Sequence, residues 1–229
     1  MQNIDLSAVS KSSLKTMFPT LQFSEIAVPD MSVSGNFFGD DVQHEDLERA
    51  TLHLNSFQLK FPKALLANGY LEERSFYNTH NYEREGPNGT EYRNIHLGTD
   101  FWVPAATPLH APLGGTVVIA HHNDIHKDYG PLLVLEHSVN DSVFYTLYGH
   151  LSVETLTLSP KGKYVGKGEP LGWIGNKEEN GHWVPHLHFQ IITDLWGQTE
   201  NFNGTAYPSE LPYWKSICPN PNLLFREKF

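Results

Sequence analysis

One cysteine in 229 residues, Cys218, leaves no intrachain disulfide and no Cys-rich structural zinc site. A metal held by this chain must therefore rest on His and carboxylate. Positive charge is scarce as well: 16 Lys and Arg stand against 26 Asp and Glu, a formal charge of -10. With no Lys/Arg run to form a local basic patch, such a chain repels phosphate backbones and anionic lipid, which excludes nucleic acid and membrane surfaces as expected partners. No apolar run approaches the roughly 18 residues of a membrane helix, and the opening MQNIDLSAVSKSSLK has no apolar h-region of a secretory signal. A cytoplasmic protein is expected, or a secreted or periplasmic one if a leader was trimmed. HExxH is missing, internal repeats and heptads are missing, and the glycines around Val165 lack the GK[ST] ending of a phosphate loop.

What is present divides in two. Residues 1–90 mix polarity with Pro and Gly punctuation and hold one expected helix, around His44 to Phe57, so they read as an N-terminal arm of mixed structure. Residues 91–229 read as the main domain with a C-terminal extension. Its short β-rich runs, GGTVVIA, GPLLVLEH, SVFYTLYGHL, EPLGWIG and HLHFQIIT, are separated by turn residues at fairly even spacing. That pattern predicts a mainly β fold, an antiparallel sheet core with short helices. After the last run Ser209 is positioned to cap a short helix through about Ile217, ended by Pro219.

Three segments carry ligand-type side chains: NIHLGTDFW with His96 and Asp100, LYGHLS with His150, and VPHLHFQ with His186 and His188. Alternation along a strand puts His186 and His188 on one side and Leu187 and Phe189 on the other. His96 and Asp100 are an even number of positions apart, and Gly98 between them permits the bend or close approach needed to converge on one ion. A third ligand would complete a zinc site whose remaining position holds water. Without a helix-borne Glu, a spare histidine is the natural proton carrier, since imidazole titrates near pH ~6.5.

HxxxD, then YxHL, then HLHF, in this order with strands between, resembles the lysostaphin-type (LytM-like) family of zinc metallopeptidases from about Ile95 to Ile192. The resemblance implies that the core is a lysostaphin/LytM-type sheet, that His96, Asp100 and His188 bind one Zn²⁺, and that His150 and His186 are the catalytic pair. It implies an endopeptidase that hydrolyses an amide bond in a peptide or muropeptide, as in bacterial cell walls. The phrases RNIHLGTD, YTLYGHLS, GNKEENGHWVPHLHFQIITD and PNLLF are similar to the version found in fusion proteins beside class III aminotransferase and kinase-like domains, a setting that implies cytosolic work on something other than intact wall. NKEENGHWVP replaces the small-residue turn usual before the HLH strand, which bears on substrate choice.

Other readings attach to other residues. HHNDIH, with His121, His122 and His126, is expected to be a solvated turn. Tyr92, four residues before His96, is a candidate phenol for a developing oxyanion, and Trp183 is the tryptophan best placed to meet a ligand. A non-catalytic, zinc-containing peptide-binding module is the alternative to an enzyme. A cupin-like iron oxygenase also uses HxH, but it needs a following Glu and a further His, and neither follows His188.

Overall fold

The computed structural model describes residues 5–35, 46–140 and 142–229. Among the described residues the α-helices are α1 (Leu14–Met17), α2 (Leu47–Lys60), α3 (Glu154–Leu158) and α4 (Leu211–Ile217). The strands are β1 (Glu25–Ala27), β2 (Ala64–Asn68), β3 (Glu83–Gly86), β4 (Gly89–Tyr92), β5 (Ile95–His96), β6 (Thr99–Trp102) and β7 (Pro108–His110). They continue with β8 (Gly115–Asn123), β9 (Gly130–Val139), β10 (Ser142–Gly149), β11 (Tyr164–Val165), β12 (Pro170–Trp173), β13 (Leu187–Ile192) and β14 (Thr205–Ala206). The fold is mainly β, with a large, mostly antiparallel sheet.

That sheet runs β1-β2-β6-β13-β10-β9-β8-β11, and only the β1–β2 pair is parallel. Its runs are apolar at successive positions because both faces are covered. Leu133 and Leu135 of β9, with Leu187, Phe189 and Ile191 of β13, pack into one layer with Met17, Phe18 and Phe225. Leu132 and Val134 of β9, with Ile192 of β13, enter the opposite layer with Leu97, Phe202, Trp214 and Ile217.

The first ninety residues contribute to this sheet directly. β1 and β2 extend it beyond β6, and Leu54 of α2 packs against Leu66 of β2. α2 begins at Leu47 because the Asp46 side chain accepts from the Glu48 and Arg49 amides, satisfying two donors that the first turn leaves without partners. Of the helix expected over His44–Phe57, His44 lies outside the described residues. Ser209 does not cap α4: its hydroxyl donates to Glu91, and a 3₁₀ turn over Pro208–Glu210 leads into the helix.

Register decides what meets at the centre. Asn68 of β2 lies opposite Asp100 of β6, Asp100 opposite His188 of β13, and His188 opposite Gly149 of β10. His150 follows Gly149 directly, and the β5–β14 pair sets His96 opposite Thr205. Among the described residues no helix is long and apolar enough to cross a membrane.

Candidate active site

His96 reaches the row from β5 through the short Leu97–Gly98 connection. A side chain at position 98 would run into the His188 ring and the Phe189 carbonyl, so glycine is required for this close approach. His96 Nε2 lies 2.9 Å from His188 Nδ1, and each of these nitrogens lies 3.3 Å from Asp100 Oδ1. All three side chains are buried.

The ring tautomers follow from the outer contacts. His96 Nδ1 is 3.0 Å from the Gly69 carbonyl, which only accepts, so Nδ1 carries the hydrogen and Nε2 offers a lone pair. Gln190 uses its amide nitrogen to donate to the Asn203 carbonyl and the Cys218 sulfur, so its oxygen accepts from His188 Nε2 at 2.9 Å. His188 Nδ1 therefore also offers a lone pair inward. Asp100 Oδ1 is buried without a hydrogen-bond partner among the described residues, while Oδ2 accepts from Arg74 Nη1 at 2.6 Å. Three lone-pair donors thus face one another around one point, an arrangement that repels itself without a cation between them. Ligands about 2 Å from one ion in a tetrahedral array stand about 3.3 Å apart, close to the spacings found here. The donor set fits a divalent metal, and no other such group occurs among the described residues.

Electrostatics favour the ligating forms. Burial and the neighbouring Arg74 guanidinium push His96 down to about 3, keeping it neutral. Burial alone would raise the Asp100 carboxyl, but the facing histidines and Arg74 outweigh it and hold it well below the usual carboxylate range. Arg74 itself is 1% exposed; burial works against its charge, and Asp100 and Glu72 restore it.

His150 and His186 stand beside the group, with ring centroids 4.2 Å apart. His150 adopts a left-handed φ of 63° and binds the Asn180 carbonyl through Nδ1 at 2.9 Å, leaving Nε2 as a base. His186 binds the Val184 carbonyl through Nδ1 at 2.7 Å, stacks on Trp102, and brings Nε2 to 3.8 Å from Asp100 Oδ1. Burial and the adjacent imidazoles push His150 well down, and burial lowers His186. Both are therefore neutral imidazoles at pH 7, each with an Nε2 lone pair.

Two cavities flank these rings. One is lined by His96, His150 and His188 together with Arg93, Lys127 and Tyr129. The other, more apolar, lies between α2 and the Asp100–His186 side. Trp183 and Tyr77 border both, so the NKEENGHWVP turn supplies the Asn180 carbonyl and one wall of each cavity.

Several residues gathered here were not singled out by sequence reasoning: Gly69 and Arg74 from the first ninety residues, and Tyr129, Asn180 and Gln190 from the rest. Gln190 lies two positions beyond His188 on the same strand face, a period-2 signal that was available. Arg74 and Gly69 gave none. Tyr92 sits in the β3–β4 hairpin opposite Glu83 and does not line either cavity, whereas Tyr77, Tyr82 and Tyr129 line the one beside His150. His126 lies near His182, at 5.2 Å between rings, apart from any three-ligand group among the described residues.

Residues 94–203, just under half of the chain, match the profile described as Peptidase family M23. Lysostaphin of Staphylococcus staphylolyticus is 29% identical over 137 residues, 56% of this chain and 25% of lysostaphin. Peptidoglycan DD-endopeptidase ShyA of Vibrio cholerae is 35% identical over 98 residues, 42% of this chain and 20% of ShyA. The solved catalytic domain of lysostaphin from Staphylococcus simulans is 27% identical, covering 53% of this chain and 80% of that one, with a TM-score of 0.37, too low for the superposition to carry weight. The chain spans a quarter or less of the length of these two curated relatives. Residues 94–203 are thus similar to peptidase family M23, of lysostaphin type.

Proposed function

We propose that this chain is a zinc metallopeptidase that hydrolyses an amide bond in peptidoglycan-type peptides, with His96, Asp100 and His188 as ligands of one Zn²⁺. The observation that carries this reading is the inward convergence of two imidazole lone pairs and a carboxylate oxygen that has no hydrogen-bond partner among the described residues. A Zn²⁺ ion held there supplies Lewis acidity and brings a bound water's pKa toward about 7.

The chain's own groups do the rest. His150 and His186, neutral and with free Nε2 atoms, take the water proton and deliver it to the departing amine. Burial excludes bulk solvent and strengthens every polar interaction around the scissile carbonyl. The resemblance to the version beside aminotransferase and kinase-like domains belongs to this reading too, and points to soluble peptide amides more than to intact wall.

The reading separates binding from turnover. His188→Ala or Asp100→Ala is expected to abolish stoichiometric zinc uptake by elemental analysis. His150→Ala is expected to keep the zinc and lose about 10²-fold or more in rate, the usual worth of a positioned acid–base group. Digestion of peptidoglycan fragments and small amides, followed by mass spectrometry for new termini, gives the rate. Wild-type hydrolysis by His150→Ala would overturn the mechanism, and zinc-loaded protein that produces no new termini from any of them would make the chain a peptide-binding module.

A further inference from the structure

The turn after β13 holds a tryptophan in the open. Trp196 is 40% exposed and has a left-handed φ of 48°, a conformation that a bulky side chain rarely adopts. The Asp194 carboxylate holds it there, accepting the Trp196 amide at 2.8 Å. Its ring is parallel to that of Tyr213 on α4, with 5.6 Å between centroids and 6° between planes, and Tyr213 is 47% exposed as well. Phe202 and Trp214, which both meet the Trp196 ring, are buried in the core layer described above; the outer pair is not part of that layer. Strain and exposure together at one aromatic residue point to a role outside the core.

Trp196, Phe202 and Trp214 share a cleft with Gln198, Asn201 and Asn203. No ionisable side chain lines it, so it complements neither a phosphate nor a cation. Asn203 Oδ1 is taken by Arg93 at 2.9 Å, which leaves the Asn203 amide nitrogen without a hydrogen-bond partner among the described residues; the Gln198 side-chain amide is free in the same sense. The cleft holds about 130 Å³, room for a group of a few heavy atoms but not for a whole sugar or a peptide segment.

An acetamido group fits this chemistry. Its methyl meets the Phe202 and Trp214 rings, and its carbonyl accepts from a side-chain amide. The rest of such a ligand must lie over the exposed rings. A pyranose does so with its C–H face, whose positively polarised hydrogens meet the negative face of an aromatic ring. A neutral N-acetylated sugar thus uses platform, apolar floor and amide donors at once.

The cleft also adjoins the proposed metal group. The Asn203 carbonyl accepts from Gln190 Nε2 at 3.1 Å, and Gln190 in turn holds His188. Gly204 and Thr205, the next two residues, line the cavity beside His150.

Resting on the metallopeptidase reading above, we propose that this cleft is a sugar subsite that binds an N-acetylhexosamine carried by the peptide substrate, with Trp196 and Tyr213 as platform and Gln198 and Asn203 as amide donors. The substrate is then a muropeptide with its sugar attached, rather than a sugar-free peptide.

The test is calorimetric titration of the full chain with the methyl glycosides of N-acetylglucosamine and of glucose, and with a proline-rich peptide. The acetylated glycoside is expected to bind about ten-fold more tightly than methyl glucoside, the worth of one hydrogen bond and a buried methyl. Trp196→Ala is expected to abolish measurable binding, and Tyr213→Ala, at an exposed ring, to weaken it about three-fold or more, with unfolding curves confirming that both variants fold. Equal binding of the two glycosides overturns the proposal, as does no measurable binding of the acetylated one at millimolar concentration. So does affinity that survives in both variants, or a proline-rich peptide that displaces the sugar, which would make the cleft a peptide groove. Sugar binding by protein that hydrolyses no muropeptide leaves the subsite standing and sinks the peptidase reading; hydrolysis without sugar binding does the reverse.

Discussion

Arg74 does for the carboxylate what Gly69 and Gln190 do for the imidazoles. Its bond to Asp100 Oδ2 fixes which oxygen turns inward, and Glu72 holds the guanidinium from behind while also accepting from Asn68. Asn68 in turn accepts from Trp102, on which His186 stacks, so one chain of contacts ties the proposed ligand to the proposed base. Such outer partners are worth about 10–100-fold in metal affinity. Arg74→Met is expected to weaken zinc binding by that much in chelator competition, with Arg74→Lys recovering part of it. Unchanged affinity in Arg74→Met would show that the contact only braces the fold. The histidines of HLH could be assigned to one face from strand alternation, because that geometry is local. Arg74 could not be found that way: it meets Asp100 across 26 positions, and only the pairing of β2 with β6 brings them together.

At the scale of elements, the turn after β2 is the most constrained connection near the site. Gly69 has φ of 117°, and a Cβ there would strike the Arg74 guanidinium and the His96 ring. Gly69→Ala therefore combines backbone strain with a clash, an expected cost of about 1–3 kcal/mol in denaturant unfolding. Because the same turn holds His96 Nδ1, metal affinity is expected to fall with stability; an unperturbed unfolding midpoint would contradict both. The apolar runs from GGTVVIA to HLHFQIIT were legible as strands because turn residues bound each one. β2, the sequence ALLAN, was not: it is buried at every position and shows no alternation, and the surrounding Pro and Gly made the stretch read as an arm. The helix around His44 to Phe57 was expected from the sequence, and its observed start follows from the Asp46 cap.

For the whole molecule, several buried groups act on stability in one direction. His96, His150 and His186 are all held below the ordinary imidazole value, and Asp100 below the ordinary carboxylate value. The unfolded chain therefore binds protons that the folded chain refuses as pH falls. The stabilisation is present in full above about pH 6.5 and is lost progressively on acidification, for His96 down to about 3. Each such histidine contributes about 1.4 kcal/mol per pH unit inside that window. Metal-free protein is expected to show a steadily falling urea midpoint between about pH 7 and pH 4, and a flat profile would mean that these rings are solvated in the native state.

The position of β13 has a consequence for how the chain is made. β13 lies between β6 and β10 in the sheet although it follows both in sequence. Synthesis proceeds from the N-terminus, so β6 and β10 exist before the strand that joins them, each with an unpaired edge. The same strand carries His188, 92 positions after His96. Completing the sheet and completing the metal group are thus one event, reached only once β13 has been made, and until then the nascent chain has neither a closed core nor a site that can retain an ion.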